Sequence, residues 1–226
     1  MLAAVVFDVD GTLAETERDG HRPAFNRAFA DFGLPYRWDE QTYGRLLAVT
    51  GGRRRIEGFL AEAGHPDPVG VAADLHRAKT AHYIEWVRSG PLRCRPGVDT
   101  LIADLGRAGV RCAVATTGRQ AWVGPLLDRL FGCTSFEVVV TGDDVANLKP
   151  APDAYLCALD RLDLPPDAVL AVEDSSPGLA AARAAGLPCL VVTNGYTREG
   201  VFPDAVAVRD GFEDLGVDSC ADLVRA

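Results

Sequence analysis

A short apolar run near the start of the chain ends abruptly in two carboxylates. Residues 2–7 form this run, and Asp8, Asp10 and Gly11 follow it. An unbroken apolar run rich in valine is typical of a strand buried on both faces of a parallel sheet. In folds of this kind, ligands bind where the strands end. The sequence therefore predicts an α/β fold with a functional site that begins at Asp8.

Composition and charge argue against several kinds of partner. The chain has 226 residues, a formal net charge of −9 and 48% hydrophobic residues. A chain of this size can bury its own core without disulfides or a structural metal. Nucleic acids and membrane surfaces require clustered positive charge, so we expect neither as a partner. An anionic small molecule is compatible with this charge, because a local cluster such as Arg53-Arg54-Arg55 suffices to attract it.

The six cysteines indicate a reducing environment. They are scattered along the chain, and none belongs to a Cys-x-x-Cys pair. Disulfide frameworks are typical of small secreted domains, so we expect reduced thiols in a cytoplasmic protein. No secretory leader is recognisable, and no run reaches the roughly 20 apolar residues of a membrane span. We also expect a monomer.

The pattern of elements predicts two domains. Helical spacing dominates residues 15–90, whereas strands and helices alternate from residue 91 onward, as in a parallel sheet with right-handed crossovers. We expect an α/β core of residues 1–14 and 91–226, built on a Rossmann-like parallel sheet. A small α-helical cap domain of residues 15–90 is inserted after the first strand. The predicted cap helices are residues 15–31, 38–47, 53–63 and 69–87, and the later core strands are 111–115, 136–140, 169–172 and 189–192.

Polar side chains accompany four segments of the predicted core. In chain order they are Asp8 and Asp10, Thr116 and Thr117, Lys149, and Glu173 and Asp174. The carboxyl ends of parallel strands meet at one edge of a sheet, so these side chains are expected to lie together. Carboxylates, a hydroxyl and an ammonium in one place suit a divalent cation with a phosphoryl group, because Mg²⁺ prefers oxygen ligands and bridges to phosphate.

Each motif alone has a simpler interpretation. A calcium loop beginning at Asp8 would need glycine at its sixth position and flanking helices, but Leu13 occupies that position and a strand precedes it. Glu173 and Asp174 are typical of a helix N-cap. Lys149 alone would be a solvated lysine. Their combination in this order favours the functional interpretation.

The motifs resemble those of the haloacid dehalogenase superfamily, in its phosphatase branch. They are Asp8-Val-Asp10-Gly-Thr12, Thr116, Lys149-Pro150 and Glu173-Asp174-Ser-Ser-Pro-Gly178. The resemblance spans nearly the whole chain and implies a Mg²⁺-dependent phosphatase with a Rossmann-like core and a helical cap. Dehalogenase members lack an acid at the position of Asp10, so Asp10 favours a phosphate substrate.

The resemblance also implies a role for each motif residue. Asp8 is expected to be the nucleophile that forms an aspartyl-phosphate, and Asp10 the general acid and base. Thr116 is expected to donate a hydrogen bond to a phosphoryl oxygen, and Thr117 to bind the substrate beside it. Lys149 is expected to offset the negative charge of the carboxylates and the phosphate. The implied metal ligands are Asp8, the Asp10 carbonyl and Asp174, with Glu173 as a further ligand or a partner of one.

Other segments are similar to the CbbY-type proteins. They are residues 7–17, His21-Arg22, Phe25-Asn26, Thr50-Gly51-Gly52-Arg53, Arg55-Ile56 and residues 76–80. Those relatives are xylulose-1,5-bisphosphate phosphatases that remove a Rubisco inhibitor, which implies a link to the Calvin cycle and xylulose 5-phosphate as product. The resemblance implies that Arg53 and Lys79 bind the second phosphate, and that Glu17 and His21 lie nearer the sugar hydroxyls.

Three other functions share this scaffold. They are a phosphosugar mutase resembling β-phosphoglucomutase, a phosphoglycolate phosphatase and a non-enzymatic sugar-phosphate-binding regulator. The chain also departs from close relatives at two places. Gly118 stands where many members have serine or threonine, and the turn before His21 is one residue longer than in some members.

Overall fold

The computed structural model describes residues 1–225, which fold into two compact units. Unit 1 comprises Met1–Glu15 together with the chain from Leu92 onward, and unit 2 comprises Thr16–Pro91. Within residues 1–225, none of the helices combines the length and the apolar composition needed to cross a membrane.

A parallel sheet forms the centre of unit 1, as predicted, and it contains six strands. The strands are β1 (Ala4–Phe7), β2 (Arg111–Ala115), β3 (Val138–Val140), β4 (Val169–Glu173), β5 (Cys189–Val192) and β6 (Ala207–Arg209). Their order across the sheet is β3-β2-β1-β4-β5-β6. Every residue of β1 and β5 is buried, because both faces of a parallel sheet are covered.

Strand β1 lies at the point where the strand order reverses. Phe7 pairs with Val114 of β2 on one side and with Val172 of β4 on the other. The Asp8 amide continues this pairing with a hydrogen bond of 3.0 Å to the Val172 carbonyl. Such a reversal leaves a crevice at the carboxyl ends of the strands, and this crevice is where α/β sheets bind ligands.

Helices surround this sheet. Those of unit 1 are α5 (Val98–Arg107), α6 (Gln120–Phe131), α7 (Asp153–Leu162), α8 (Ser176–Ala184) and α9 (Val217–Arg225), with a 3₁₀ turn at Pro166–Ala168. The sequence did not predict β6 or α9. β6 is three residues long and partly exposed, so it lacks the buried apolar run that marks the other strands.

Unit 2 is built from helices joined by loops. It contains a π-helical turn (Glu17–His21) and helices α1 (Arg22–Asp31), α2 (Glu40–Leu46), α3 (Gly52–Glu62) and α4 (Pro68–Ser89). The second cap helix was expected from residue 38, but Asp39 caps α2 by accepting from the Thr42 amide at 2.7 Å. Trp38 is held outside the helix because the Asn26 amide bonds both its N–H and its carbonyl, at 2.7 and 2.9 Å.

Helix α7 offers a test of the core packing in unit 1. Leu159 is 6% exposed, whereas Leu156 on the same helix is 48% exposed. We expect Leu159→Ala to lower the free energy of unfolding by about 2–5 kcal/mol, because it removes buried methyl groups and leaves a cavity. The matched Leu156→Ala change should cost less than about 0.5 kcal/mol. Urea unfolding of both variants measures the difference, and equal losses would contradict the assigned face of α7.

Candidate active site

The ammonium group of Lys149 joins three strand ends of unit 1. Its Nζ donates to Asp8 Oδ1 at 2.7 Å, to the Ala115 carbonyl at 2.8 Å and to Glu173 Oε1 at 2.5 Å. An ammonium has three N–H donors, so these bonds use them all. Asp8 follows β1, Ala115 ends β2 and Glu173 ends β4, so residues far apart in sequence meet at one edge of the sheet.

Burial changes the proton affinities of this cluster. Burial raises the pKa of Asp8 to about 8; the Lys149 ammonium opposes the rise, and the carboxylates of Glu173 and Asp10 add to it. Burial alone would lower the pKa of Lys149, but Asp8 and Glu173 outweigh it and raise that pKa above its usual range. Lys149 therefore remains charged, whereas the neighbouring carboxylates repel one another.

Three buried carboxylates provide a donor set for a divalent cation. Oxygen atoms from Asp8, Glu173 and Asp174 lie within 4.8 Å of one another. Hard cations such as Mg²⁺ prefer carboxylate oxygens, and one ammonium cannot neutralise three carboxylates. The residues present therefore fit a divalent metal by both donor type and charge.

Tyr155 of α7 completes the surroundings of Glu173. Its hydroxyl donates to Glu173 Oε1 at 2.7 Å, and its ring centroid lies 5.0 Å from the Lys149 Nζ. Burial and then the Glu173 charge raise the pKa of Tyr155, so the hydroxyl stays protonated and donates. Oε1 of Glu173 accepts from both Lys149 and Tyr155, whereas Oε2 accepts a longer bond of 3.4 Å from the Asp174 amide, so Oε2 is the better candidate for a metal ligand. Tyr155 was not predicted from the sequence, because it lies among apolar residues on the buried face of a helix.

The residues after β2 explain one departure from close relatives. Thr116 is buried, and its Oγ1 accepts the Gly118 amide at 3.0 Å. A hydroxyl oxygen that accepts this bond keeps its own hydrogen for donation, as a phosphoryl-binding group requires. Thr117 is half-buried. A Cβ at Gly118 would lie 2.3 Å from the Trp122 ring, so glycine stands there because the ring fills the space.

The chain turns sharply after Asp10. Gly11 has a φ of 82° and donates its amide to the Ala14 carbonyl at 2.9 Å. A Cβ at Gly11 would lie 2.3 Å from Asp174 Oδ2. Glycine therefore permits both the left-handed backbone and the close approach of a carboxylate from the end of β4.

In unit 2, Lys79 and His21 form a buried pair. The Lys79 Nζ lies 2.7 Å from His21 Nδ1, and the His21 ring stacks on Tyr83 with centroids 3.7 Å apart. An ammonium has only donors, so Nδ1 accepts and the imidazole proton is on Nε2. The pair thus places the Lys79 side chain against the imidazole of His21 inside unit 2.

A π-helical turn carries His21. The Arg22 amide donates to the carbonyl of Glu17, five residues back, so this turn contains one residue more than an α-helical turn. This is the segment before His21 that is one residue longer in this sequence than in some relatives. A Cβ at Gly20 would lie 2.6–2.7 Å from the rings of Trp86 and Tyr83, so glycine lets the turn pack against them.

Glu17 is positioned by two side chains of the same unit. The Tyr43 hydroxyl donates to Glu17 Oε2 at 2.5 Å, and Arg55 Nη1 donates to the Tyr43 oxygen at 3.2 Å. Arg55 is buried and also bonds the carbonyls of Leu46 and Val49. Arg55 therefore supports the local structure and Glu17.

The other two arginines of the run are exposed. Arg53 Nε donates to Glu57 Oε1 at 2.8 Å, one helical turn away, and its side chain is 54% exposed. Arg54 is also exposed. Successive residues on a helix diverge by about 100°, so the run of three separates into distinct environments.

The chain is similar in sequence and in structure to haloacid dehalogenase-like hydrolases, and among them to CbbY proteins. The chain matches a family model for haloacid dehalogenase-like hydrolases over residues 2–186. It is 46% identical over 220 residues to protein CbbY of Cereibacter sphaeroides, covering 96% of this chain and 95% of that protein. The crystal structure of CbbY from Rhodobacter sphaeroides with phosphate has a TM-score of 0.86 at 43% identity and covers 98% of this chain and 100% of that one. A mutant of that protein in complex with xylulose-1,5-bisphosphate has a TM-score of 0.85 at 43% identity, with 97% and 99% covered.

The raised pKa of Asp8 predicts a pH-dependent stability of the metal-free protein. A buried carboxylate with a folded-state pKa of about 8, against 3.8 as its ordinary value, destabilises the fold above pH 8. This penalty disappears as the pH falls toward 4. We therefore expect Asp8→Asn, which carries no charge, to raise the melting temperature in EDTA at pH 8.5 more than at pH 5.5.

The matched control is Asp204→Asn, at an exposed carboxylate of the same unit. Thermal unfolding followed by circular dichroism at both pH values measures the two differences. A shift for Asp8→Asn that is the same at pH 5.5 and pH 8.5 would contradict the electrostatic account.

Proposed function

The chain belongs to the haloacid dehalogenase-like hydrolases and is a sugar-phosphate phosphatase, and we propose that its substrate is xylulose-1,5-bisphosphate. The products would be xylulose 5-phosphate and inorganic phosphate. The observation that carries the chemistry is the buried Lys149 ammonium shared by Asp8 and Glu173. The substrate is supported by the CbbY relative in complex with the same bisphosphate. Because this bisphosphate inhibits Rubisco, its hydrolysis would support the Calvin cycle, and we propose that the protein acts in the cytoplasm.

The proposed reaction uses Asp8 as the nucleophile. A carboxylate oxygen of Asp8 attacks phosphorus, and the bond between phosphorus and the sugar oxygen breaks. Asp10 donates a proton to that leaving oxygen. Water then attacks the aspartyl-phosphate, Asp10 takes a proton from it, and the bond to Asp8 breaks to release inorganic phosphate.

Charge placement prepares the site for a phosphate dianion. Lys149 fixes one oxygen of Asp8 and keeps its positive charge at the reacting carboxylate. Thr116 would donate its hydroxyl to a phosphoryl oxygen, with Thr117 beside it. Asp8, Asp174 and the Asp10 carbonyl would hold Mg²⁺, with Glu173 as a further ligand through Oε2. Bound Mg²⁺ would supply positive charge that offsets repulsion between carboxylates and phosphate.

Recognition of the sugar and of the second phosphate is assigned to residues of unit 2. The Lys79 side chain is buried among aromatic rings, and its ammonium lies 4.8 Å from the centroid of the Phe25 ring. A cation that has already lost much of its water interacts strongly with a phosphate. The Nε2 proton of His21 and the carboxylate of Glu17 would bond sugar hydroxyls, and Arg53 would bond the second phosphate.

Phosphate release tests the proposed mechanism. We expect Asp8→Asn to reduce release from xylulose-1,5-bisphosphate to background, because the nucleophile is lost. Asp10→Asn should lower kcat by about 10²–10⁴-fold, the usual contribution of general acid–base catalysis. The Asp204→Asn variant is the control, and activity of wild type in EDTA tests the need for Mg²⁺. Phosphate release by Asp8→Asn at the wild-type rate would exclude Asp8 as nucleophile.

A substrate panel separates the alternatives. It contains xylulose and ribulose bisphosphates, phosphoglycolate and glucose 1-phosphate, and both phosphate and sugar products are followed. Highest kcat/KM on xylulose-1,5-bisphosphate would support the proposal. Preference for phosphoglycolate would contradict it, and conversion of glucose 1-phosphate to glucose 6-phosphate would indicate a mutase.

Arg53 provides a test of bisphosphate recognition. Its exposed pair with Glu57 is worth at most about 1 kcal/mol, so a phosphate can displace Glu57. We expect Arg53→Ala to lower kcat/KM for the bisphosphate by about 10-fold or more and to leave p-nitrophenyl phosphate unaffected, because a charged hydrogen bond is worth about 1.5–3 kcal/mol. The adjacent, exposed Arg54→Ala is the matched control. Equal effects on both substrates would show that Arg53 does not contribute to substrate specificity.

A further inference from the structure

Asn194, just beyond β5, contacts two motifs of the active site. Its Nδ2 donates to Asp174 Oδ2 at 2.6 Å and to the Gly11 carbonyl at 3.3 Å. Asn194 is 5% exposed, so both bonds are shielded from water. One neutral side chain therefore links the turn after Asp10 to the carboxylate that follows β4.

The orientation of the Asn194 amide is fixed by its own loop. Its Oδ1 accepts the Tyr196 amide at 2.8 Å, and its backbone N–H donates to Thr197 Oγ1 at 3.0 Å. A backbone N–H can only donate, so the atom facing Tyr196 is the oxygen. The NH₂ group consequently faces Asp174 and Gly11.

Arg95 holds the same carbonyl from another direction. Its Nη1 donates to the carbonyls of Gly11 at 2.7 Å and Val192 at 3.0 Å, and its Nη2 donates to the Thr193 carbonyl at 2.6 Å. Arg95 is 4% exposed. It thus ties the turn at Gly11 to the end of β5, where Asn194 begins its loop.

We propose that Asn194 is a positioning residue for the divalent cation, acting through Asp174 and through the peptide at Gly11. This inference rests on the proposed Mg²⁺-dependent function. A carboxylate held by one oxygen is restricted in rotation, and a fixed Gly11 restricts the preceding peptide, which carries the Asp10 carbonyl. A cationic donor beside Asp174 would repel the cation, whereas the neutral amide of Asn194 orients the ligand without opposing its charge.

Mn²⁺ binding to the purified protein tests this role directly. The electron paramagnetic resonance signal of free Mn²⁺ gives its Kd for wild type, Asn194→Ala, Asn194→Ser and the control Thr193→Val. Thr193 is the buried neighbour whose hydroxyl bonds Asp210 at 3.1 Å, away from Asp174. We expect Asn194→Ala to weaken Mn²⁺ binding by about 10–100-fold. Asn194→Ser keeps a shorter donor, so its Kd for Mn²⁺ should lie between those of wild type and Asn194→Ala. The Kd of Thr193→Val should equal that of wild type.

Titration of phosphatase activity with Mg²⁺ supplies an independent readout. We expect Asn194→Ala to need more Mg²⁺ for half-maximal rate, with kcat at saturating Mg²⁺ within a few-fold of wild type. A lower melting temperature with unchanged Mn²⁺ affinity would show that Asn194 is merely structural and would overturn the inference. Absence of Mn²⁺ binding by wild type would instead overturn the proposed metal dependence, so the two failures are distinguishable.

Discussion

The bonds from the buried Lys149 ammonium to Asp8 and Glu173 are the interaction on which the active site depends. Neither carboxylate is near the other in sequence, and the sheet register alone would leave two buried negative charges at neighbouring strand ends. Lys149 compensates for this repulsion and fixes both side chains with two of its donors, while the third bonds the Ala115 carbonyl. The compensation is incomplete because Asp174 adds a third carboxylate. The site therefore combines rigid geometry with an excess of negative charge, which is the condition that a divalent cation satisfies.

The central part of the fold was predictable from sequence because parallel strands are short, apolar and bounded by polar residues. Strand β1 and the motifs after β2 and β4 follow this pattern, and the sheet brings their ends together. The pattern fails where an element is short or half-exposed, as in β6. It also fails where a distant side chain overrides local preference. Asn26 bonds the backbone of Trp38, so α2 begins after that residue and not at it.

The residues proposed to act on phosphate were predictable from sequence, whereas several residues that position them were not. Tyr155 resembles any buried aromatic residue until the fold places its hydroxyl on Glu173. Arg95 bonds backbone carbonyls, and a carbonyl has no sequence signature. Asn194 is different, because it lies just beyond a buried strand, as the predicted site residues Asp8 and Asp174 do. The rule of polar residues at strand ends could have identified it.

Two motif glycines show why the motifs depend on one another. A Cβ at Gly11 would lie 2.3 Å from Asp174 Oδ2, and a Cβ at Gly178 would lie 1.9 Å from Glu173 Oε2. Gly178 makes room for a carboxylate of its own motif, but Gly11 makes room for one from a motif more than 160 residues away. A side chain at Gly11 would displace Asp174 and Asn194 together. The glycine after the two aspartates is thus needed to bring together the proposed metal ligands as well as to form the turn, and neither requirement is evident from the first motif alone.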